Sequence, residues 1–313
     1  MAGLDEATLN AIRLRVGALE RERAAIEAAP RWRVPLFVGA VVVAVIVLAV
    51  AFNAFADPVE QWASAPHVFL YIAGFVAAAL AFVAAKKPAR LFEAGYRDRF
   101  FSTLFAFVEG LRYRHDETPE SFDRLPRALV GDFNRESFDD IFAGRYDGFP
   151  FELYEAEFGQ RGGATLFKGV VVAFQPAAPF DGLLIATGKQ EQPAGLLGAL
   201  FGSRLTSLAC GVPEIDAHHD FLTDNPDAAR PLVGGNIAAA LGWLIEAWPE
   251  GPARVALSHA DGFLLLPDSR NFFELPPASV AINFERDAKP MLADMSALLA
   301  TTALVRKAGD SLG

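Results

Sequence analysis

Two long runs of apolar residues near the start of the chain limit its possible folds more than any other feature. They extend from Val34 to Ala56 ("VPLFVGAVVVAVIVLAVAFNAFA") and from Pro66 to Ala85 ("PHVFLYIAGFVAAALAFVAA"), and neither contains a charged residue. Each has close to the ~20 residues that an α-helix needs to cross a hydrocarbon core roughly 30 Å thick. Buried core helices are the alternative, but these rarely run so long without a polar face. The sequence therefore predicts a transmembrane helical hairpin over residues 34–85, with spans at 34–56 and 66–85.

The charges that flank the two spans predict the orientation of the hairpin. Five basic residues next to the spans form what we call the basic collar: Arg31, Arg33, Lys86, Lys87 and Arg90. The loop between the spans carries Asp57 and Glu60 and no Lys or Arg. Since Lys and Arg remain on the cytoplasmic side, we expect both termini to be cytoplasmic and the collar to face the lipid headgroups.

A cleavable signal peptide fits the beginning of the chain poorly. An acid-rich segment, residues 1–33, precedes the first apolar run, whereas the charged leader of a signal peptide is short. Cys210 is the one cysteine, so no intrachain disulfide can form, and a lone thiol is typical of a reducing compartment. Both observations favour retained spans and a cytosolic main domain.

Charge is distributed unevenly along the chain. Residues 86–114 carry seven Lys or Arg against three acids, whereas residues 115–313 carry fifteen against twenty-eight. A basic segment next to the spans suits an anionic inner leaflet. The acidic remainder argues against nucleic acid as a partner, because nucleic-acid binding needs a basic surface.

Two further helices are predicted next to the spans. Residues 1–33 form a cytosolic amphipathic helix that ends near Pro30. Its apolar seam, with Arg23 inside it, consists of Leu9, Ile12, Val16, Leu19 and Ile26. This seam predicts either a short coiled coil with another copy or packing on the cytosolic domain, and the second is favoured because the heptads are few. Residues 86–114 form a juxtamembrane helix that carries part of the collar.

The remaining residues, 115–313, predict one cytosolic α+β domain with an antiparallel sheet and packed helices. Short helices and loops are expected over 115–145. Strands begin near the Asp147-Gly148 turn, and "GQRGG" (159–163) and Asp261-Gly262 are read as further hairpin turns. Helices are expected over 236–248 and 286–309. The Gly-rich stretch 193–205 is interpreted as a mobile loop with a buried turn, and a loop that touches the membrane is the alternative. Short hairpins imply antiparallel pairing.

Several stretches of this domain resemble a known family. They include "FDDIFAGRYDGFPFELYEAEF", "LFKGVVVAF", "FDGLLIA", "FLTDNPDAARPLV" and "HADGFLLLPDSRNFFE". In order and spacing they are similar to a family of bacterial inner-membrane proteins known as domain of unknown function 3137. The resemblance implies two N-terminal spans, a cytosolic domain and a multi-pass location in the bacterial inner membrane. It implies no activity and no catalytic residues.

"DAHHDF" is the stretch most suggestive of metal chemistry. Its candidate ligands are Asp216, His218, His219 and Asp220. Adjacent histidines on a strand point to opposite faces, so polar residues at a strand edge are the favoured interpretation and no metal is expected. His259 is interpreted as a histidine beside a turn.

Other chemical motifs are weak. "G-x-S-x-G" does not occur in the sequence, and "GQRGG" lacks the Lys-Ser/Thr of a phosphate-binding loop. Cys210 lies in an apolar stretch that is expected to be a strand, which makes a nucleophile improbable. "TDNPDAAR", with Asp224 and Pro226, is typical of a capped helix start.

The sequence thus predicts an inner-membrane-anchored interaction or scaffold domain without catalysis or cofactor. Its expected partners are the lipid bilayer and another protein or a second copy. Two alternatives remain: a membrane-proximal module that binds lipid or a small ligand, and a metal-assisted hydrolase around His218, His219 and His259.

Overall fold

The computed structural model describes residues 5–54, 62, 64–189, 205–248, 250–277 and 280–307. Its helices are α1 (Glu6–Asn53), α2 (Ala65–Leu104), α3 (Pro213–His218), α4 (Pro226–Leu232), α5 (Ala238–Ala247) and α6 (Lys289–Arg306). Its strands are β1 (Glu109–His115), β2 (Arg135–Tyr146), β3 (Phe149–Gly159), β4 (Thr165–Phe174), β5 (Phe180–Gly188), β6 (Thr206–Leu208), β7 (His219–Thr223), β8 (Arg254–His259) and β9 (Asp261–Pro267). The chain is α+β, as the sequence predicts.

The chain forms two compact units. The helical unit contains Leu9–Thr103 and Leu275–Phe284. The sheet unit contains Leu104–Glu274, the residues from Glu285 onward and the first residues up to Thr8.

In the helical unit, α1 and α2 are longer than the sequence predicts. The prediction that the first helix ends near Pro30 is wrong, because α1 runs without interruption through Pro30 and Pro35. Proline removes one backbone hydrogen bond and tends to bend a helix. A long apolar helix can nevertheless continue through a proline, because its other backbone hydrogen bonds remain. The juxtamembrane helix predicted over 86–114 instead ends at Leu104, and residues 109–115 are strand β1.

α1 and α2 form an antiparallel pair. His67 Nε2 lies 3.0 Å from the carbonyl oxygen of Ala49, at one end of the pair. At the other end, Arg99 Nη2 and Glu22 Oε2 are 2.7 Å apart. Between them, a Cβ on Gly74 would lie 2.5 Å from Val45 Cγ2, so the two backbones approach closely here.

Among the residues that the structure describes, three helical segments are long and apolar enough to cross a membrane by length and composition. Two are the apolar parts of α1 and of α2, and 6% of the most apolar stretch of each is buried. The third, Pro226–Ala247, is 44% buried and lies in the sheet unit, where Gly235 interrupts it with φ −109° and ψ −120°. The first two agree with the predicted spans.

The apolar seam of the first helix is covered within the chain. Ile12, Val16 and Leu19 are buried, and Arg23 is buried with them. The segment Leu275–Phe284 belongs to the same unit, and the backbone N–H of its Ile282 donates to Glu20 Oε2 over 3.1 Å. The middle of the seam is therefore buried by contacts within the chain, whereas its end residues Leu9 and Ile26 are half-buried.

The nine strands in the described part of the sheet unit all join one antiparallel sheet. Its order is β1-β2-β3-β4-β9-β8-β5-β7-β6. The turn at Asp147-Gly148 between β2 and β3 and the turn after Gly159 are confirmed. The expectation of short helices and loops over 115–145 is wrong for residues 135–145, which belong to β2.

The hairpin of β8 and β9 turns two residues earlier than predicted. Ser258 pairs with Asp261 and Leu257 with Gly262, so the turn residues are His259 and Ala260. A Cβ at Gly262 would lie 2.4 Å from an atom of the Phe174 ring. This glycine is therefore needed inside the strand for close packing, and His259 takes the positive φ of 52°.

The core of the sheet unit is rich in aromatic side chains. Phe158, Phe263, Leu265 and Ile185 are fully buried in one cluster. A second group joins Phe142 to Phe105 and Phe273, with ring centroids 5.3 and 4.7 Å apart. Edge-to-face contacts of this kind add to the free energy gained by burying the rings.

Candidate functional site

The stretch "DAHHDF" is divided between a helix and a strand. His218 ends α3 and His219 begins β7, so the expectation that both lie on a strand is wrong. The two side chains nevertheless diverge. His218 is exposed, with Nδ1 2.8 Å from the carbonyl oxygen of Glu214, whereas His219 is buried, with Nε2 3.0 Å from the carbonyl oxygen of Ala253. Burial lowers the pKa of His219.

The acids of this stretch have structural positions. Asp216 accepts hydrogen bonds from the backbone N–H groups of Cys210 and Gly211, at 2.8 and 3.0 Å, and these bonds lower its pKa. Asp220 pairs with Thr187 across β5 and β7. Of the residues that the structure describes, these four do not form a group of three converging ligand atoms.

The remaining sequence candidates also take part in local structure. Cys210 follows β6 instead of lying within a strand, and burial raises the pKa of its thiol. In "TDNPDAAR", Asn225 caps α4 by accepting from the backbone N–H of Ala228 over 3.3 Å. Asp224 Oδ1 accepts from Leu183 N over 2.7 Å. The predicted helix start is therefore confirmed.

The basic collar lies on the two long helices. The antiparallel contacts of α1 and α2 place Arg31 and Arg33 at the level of residues 86–90. The Arg33 guanidinium stands 5.4 Å from the ring centre of Trp32, and the Lys86 ammonium stands 4.5 Å from that of Phe82. Basic groups from both helices are thus gathered at one end of the apolar stretch.

A cluster that the sequence did not reveal lies where β1, β2 and β3 run side by side. Phe138 pairs with Ala156 and Ile141 with Tyr154. Asp139 and Asp140 therefore both oppose the single residue Glu155. This is a β-bulge, a feature that redirects side chains and is frequent next to functional sites.

The bulge brings both aspartates to one histidine. On β1, His115 pairs directly with Asp140. Its Nδ1 lies 2.9 Å from Asp139 Oδ1 and 3.4 Å from Asp140 Oδ1. The ligand atoms of the three residues all lie within 4.8 Å of one another. We call His115, Asp139, Asp140 and Glu155 the bulge cluster.

Glu155 forms the buried side of the bulge cluster. Its residue is 7% exposed. Its Oε1 accepts from the backbone N–H of Phe272 over 2.6 Å, whereas its Oε2 is buried without a hydrogen-bond partner among the described residues. Burial raises the pKa of Glu155 to about 8, and the carboxylates of Asp140 and Asp139 act in the same direction.

Neighbouring groups fix the acids of the bulge cluster in place. The Asn271 amide donates to Asp139 Oδ2 over 2.9 Å, and the Tyr113 hydroxyl donates to Asp140 Oδ1. His115 and Asp139 keep 33% and 39% of their side chains exposed. The cluster is thus hydrogen-bonded at its buried side and open to solvent at His115 and Asp139, and its chemistry suits a cation.

A shallow pocket of about 290 Å³ lies beside the start of α6. It is lined by Arg270, Asn271, Phe272, Glu274, Arg286, Asp287, Pro290, Met291 and Asp294. Both of its guanidinium groups form ion pairs with acids: Arg270 lies 2.8 Å from Asp268, and Arg286 lies 2.6 Å from Asp287. The pocket is therefore polar, which does not suit an acyl chain.

Comparison with known proteins gives one similarity. No protein-family model matches the chain, and no curated protein matches it. A solved structure, the mycobacterial trehalose monomycolate transport factor A (TtfA), is similar over 68% of this chain and 94% of its own, with 12% identity and a TM-score of 0.41. A similarity of this size carries no argument about function.

Proposed function

We propose that this protein is a bacterial inner-membrane anchor whose cytosolic α+β domain binds another protein or a second copy of itself, without catalysis of its own. The proposal includes spans at 34–56 and 66–85, cytoplasmic termini and membership of the domain of unknown function 3137 family. That membership rests on the sequence stretches quoted above.

The observation that carries the proposal is the exposure of the apolar helical stretches. Phe69 and Phe75 are 77% and 78% exposed, and Leu80 and Val47 are 65% and 61% exposed. Monomeric soluble proteins rarely expose a continuous apolar surface of this extent. A lipid bilayer is the partner that both helices can share, because each stretch matches its hydrocarbon thickness.

The basic collar supports the proposed orientation. Its residues from α1 and α2 lie at one end of the apolar stretch, and in the sequence the acids Asp57 and Glu60 stand between the other ends of the two helices. Basic groups at one end favour that end as the cytoplasmic one, and they gain about 1 kcal/mol each near an anionic leaflet.

The polar residues that the sequence offered for chemistry instead make hydrogen bonds within local structure, which supports a binding role for the domain. Hydrogen bonds to backbone groups engage four of these residues: His218, His219, Asp216 and Cys210. Trp243 is 44% exposed on α5 and provides an aromatic side chain of the type enriched at interfaces. The stretch 193–205, for which membrane contact is the alternative to a loop with a buried turn, lies outside the described residues except for Leu205.

Thiol labelling in intact cells tests the topology. In a Cys210→Ser background, a cysteine at Gln61 should react with an impermeant reagent in intact cells. A cysteine at Leu14, which is 73% exposed on α1, should react only after the cells are permeabilised. Labelling of Leu14→Cys in intact cells would reverse the orientation and refute the cytosolic assignment.

Crosslinking tests the binding role. A photoreactive residue at Trp243 in the full-length protein should give a defined adduct in native membranes, and the same residue at the turn position Arg161 serves as the control. A protein that remains monomeric in membranes, with equal and diffuse crosslinking from both positions, would contradict the proposal.

A further inference from the structure

We propose that the bulge cluster binds a divalent first-row transition-metal ion, with His115, Asp139 and Asp140 as ligands. The inference concerns the sheet unit alone, so it stands or falls independently of the membrane proposal.

The donor set determines the class of ion. Carboxylates suit Mg²⁺, Ca²⁺ and Mn²⁺, whereas imidazole suits Zn²⁺, Fe²⁺ and other transition metals. One imidazole together with two carboxylates therefore favours ions that accept both kinds of donor, such as Mn²⁺ and Zn²⁺. Mg²⁺ and Ca²⁺ prefer oxygen ligands and should bind more weakly.

The spacing of the cluster is compatible with one ion. Ligand bonds of about 2.0–2.2 Å hold the ligand atoms of a single ion roughly 3–4 Å apart. The atoms of His115, Asp139 and Asp140 lie within 4.8 Å of one another. Small side-chain rotations therefore suffice, and the exposed positions of His115 and Asp139 permit them.

The buried glutamate gives a second, independent reason for a cation. Oε2 of Glu155 is buried without a hydrogen-bond partner among the described residues, and an unsatisfied buried carboxylate oxygen is costly. Glu155 faces Asp139 and Asp140 across the bulge. A cation at this point would give that oxygen a partner and would offset the repulsion between the neighbouring carboxylates of Asp139 and Asp140.

The surroundings resemble the outer layer of known metal sites. Protein ligands to metals are usually oriented by further hydrogen bonds. Here adjacent residues of one loop hold two of the acids, since Asn271 bonds to Asp139 and Phe272 bonds to Glu155. Tyr113 orients Asp140 from the edge strand. Hydrogen bonds thus already orient the carboxylates before an ion arrives, and small rotations remain possible at the exposed Asp139.

Titration with Mn²⁺, followed by electron paramagnetic resonance of the full-length protein in detergent, tests the site. We expect one saturable site per chain, from which Zn²⁺ displaces Mn²⁺. Asp139→Asn and His115→Gln should each lower the affinity at least ~10-fold. His218→Gln and Asp132→Asn, exposed residues outside the cluster, should leave the affinity unchanged.

Asp139→Asn is the decisive variant, because its side chain is 39% exposed and its amide oxygen can still accept from Asn271. Circular dichroism should show that it is folded. Folded wild-type protein without a saturable site at about 1 mM Mn²⁺ or Zn²⁺ would overturn the proposal. Equal affinity in the wild type and in Asp139→Asn would also overturn it, as would Ca²⁺ binding as tight as Mn²⁺ with no effect of His115→Gln.

Discussion

The two units of this chain place their apolar side chains in opposite ways. In the helical unit, large side chains such as Phe75 and Phe69 point outward and stay more than three-quarters exposed. In the sheet unit, Phe142, Phe158 and Phe263 are fully buried. The same residue type is therefore used in one unit as an outer surface and in the other as a core.

The difference shows that hydrophobicity alone does not determine burial. A strand of the sheet alternates between two faces and can hide apolar groups on either. The apolar stretch of each long helix instead carries apolar residues all around its axis, so one neighbouring helix can cover only part of that surface. The apolar helix surface that stays uncovered is suited to an apolar environment.

Replacing one phenylalanine in each unit should give the largest difference in the free energy of unfolding. Phe142→Ala should lower the free energy of unfolding by about 3–5 kcal/mol, since it leaves a cavity among the rings of Phe105, Tyr113 and Phe273. Phe75→Ala should cost less than about 0.5 kcal/mol in detergent. Chemical unfolding followed by circular dichroism measures both. Equal losses would show that Phe75 packs against protein.

Two leucines of α1 allow a buried and an exposed apolar side chain to be compared within one helix. Leu19 is 7% exposed and Leu14 is 73% exposed. Leu19→Asp should cost about 3 kcal/mol because it places a charge in the covered seam, whereas Leu14→Asp should cost little. Size measurement in detergent provides the control. A clean change from dimer to folded monomer in Leu19→Asp would instead make the seam an interface between copies.

Two glycines test the packing of α1 against α2. Gly74→Leu should cost about 1–3 kcal/mol, because even a Cβ would lie 2.5 Å from Val45 Cγ2. Gly39→Leu serves as the control, since nothing lies within 4 Å of a Cβ there. Thermal unfolding in detergent distinguishes them, and a neutral Gly74→Leu would mean that the two helices do not touch here.

The smallest expected effect concerns pH and the sheet unit. Burial lowers the pKa of His219 below its ordinary 6.5. Below pH about 6.5 the unfolded chain therefore binds a proton that the folded chain does not, and stability falls as the pH decreases toward the lowered pKa. The thermal midpoint of His219→Gln should decrease less between pH about 7.5 and about 5.5 than that of the wild type. His218→Gln removes only a secondary cause of that lowered pKa, so its profile should stay closer to the wild type than that of His219→Gln. Equal decreases of the thermal midpoint in all three proteins would show that His219 does not cause the pH dependence.

Local chemistry predicted much of the fold. Charge-free runs identified the apolar stretches of α1 and α2, and Asp147-Gly148 identified a hairpin turn. The failures have physical causes. β2 begins with three polar, exposed residues, so its strand pattern is weak there, and β1 follows a helix after a few residues. At β8 and β9, Asp261-Gly262 has the composition of a turn, but packing against Phe174 decides its position.

The bulge cluster could not be predicted for a different reason. His115 and Asp139 are far apart in sequence, and they meet because β1 pairs with β2 in one register. The convergence of two adjacent aspartates also needs a bulge, and a regular strand would point them to opposite faces. "DAHHDF" drew attention because its residues adjoin in sequence, yet its two histidines diverge.

The segment Leu275–Phe284 has a consequence for the order in which the protein can be completed. It belongs to the helical unit, but the ribosome reaches it only after β9, the last strand of the sheet, has been made. α1 and α2 are therefore synthesised long before Ile282, and Glu20 cannot accept the hydrogen bond of Ile282 until all nine strands described above have been synthesised. Truncation after α2 would leave this part of the helical unit permanently unfinished, and a fragment beginning at the sheet would carry a segment whose partners were never synthesised.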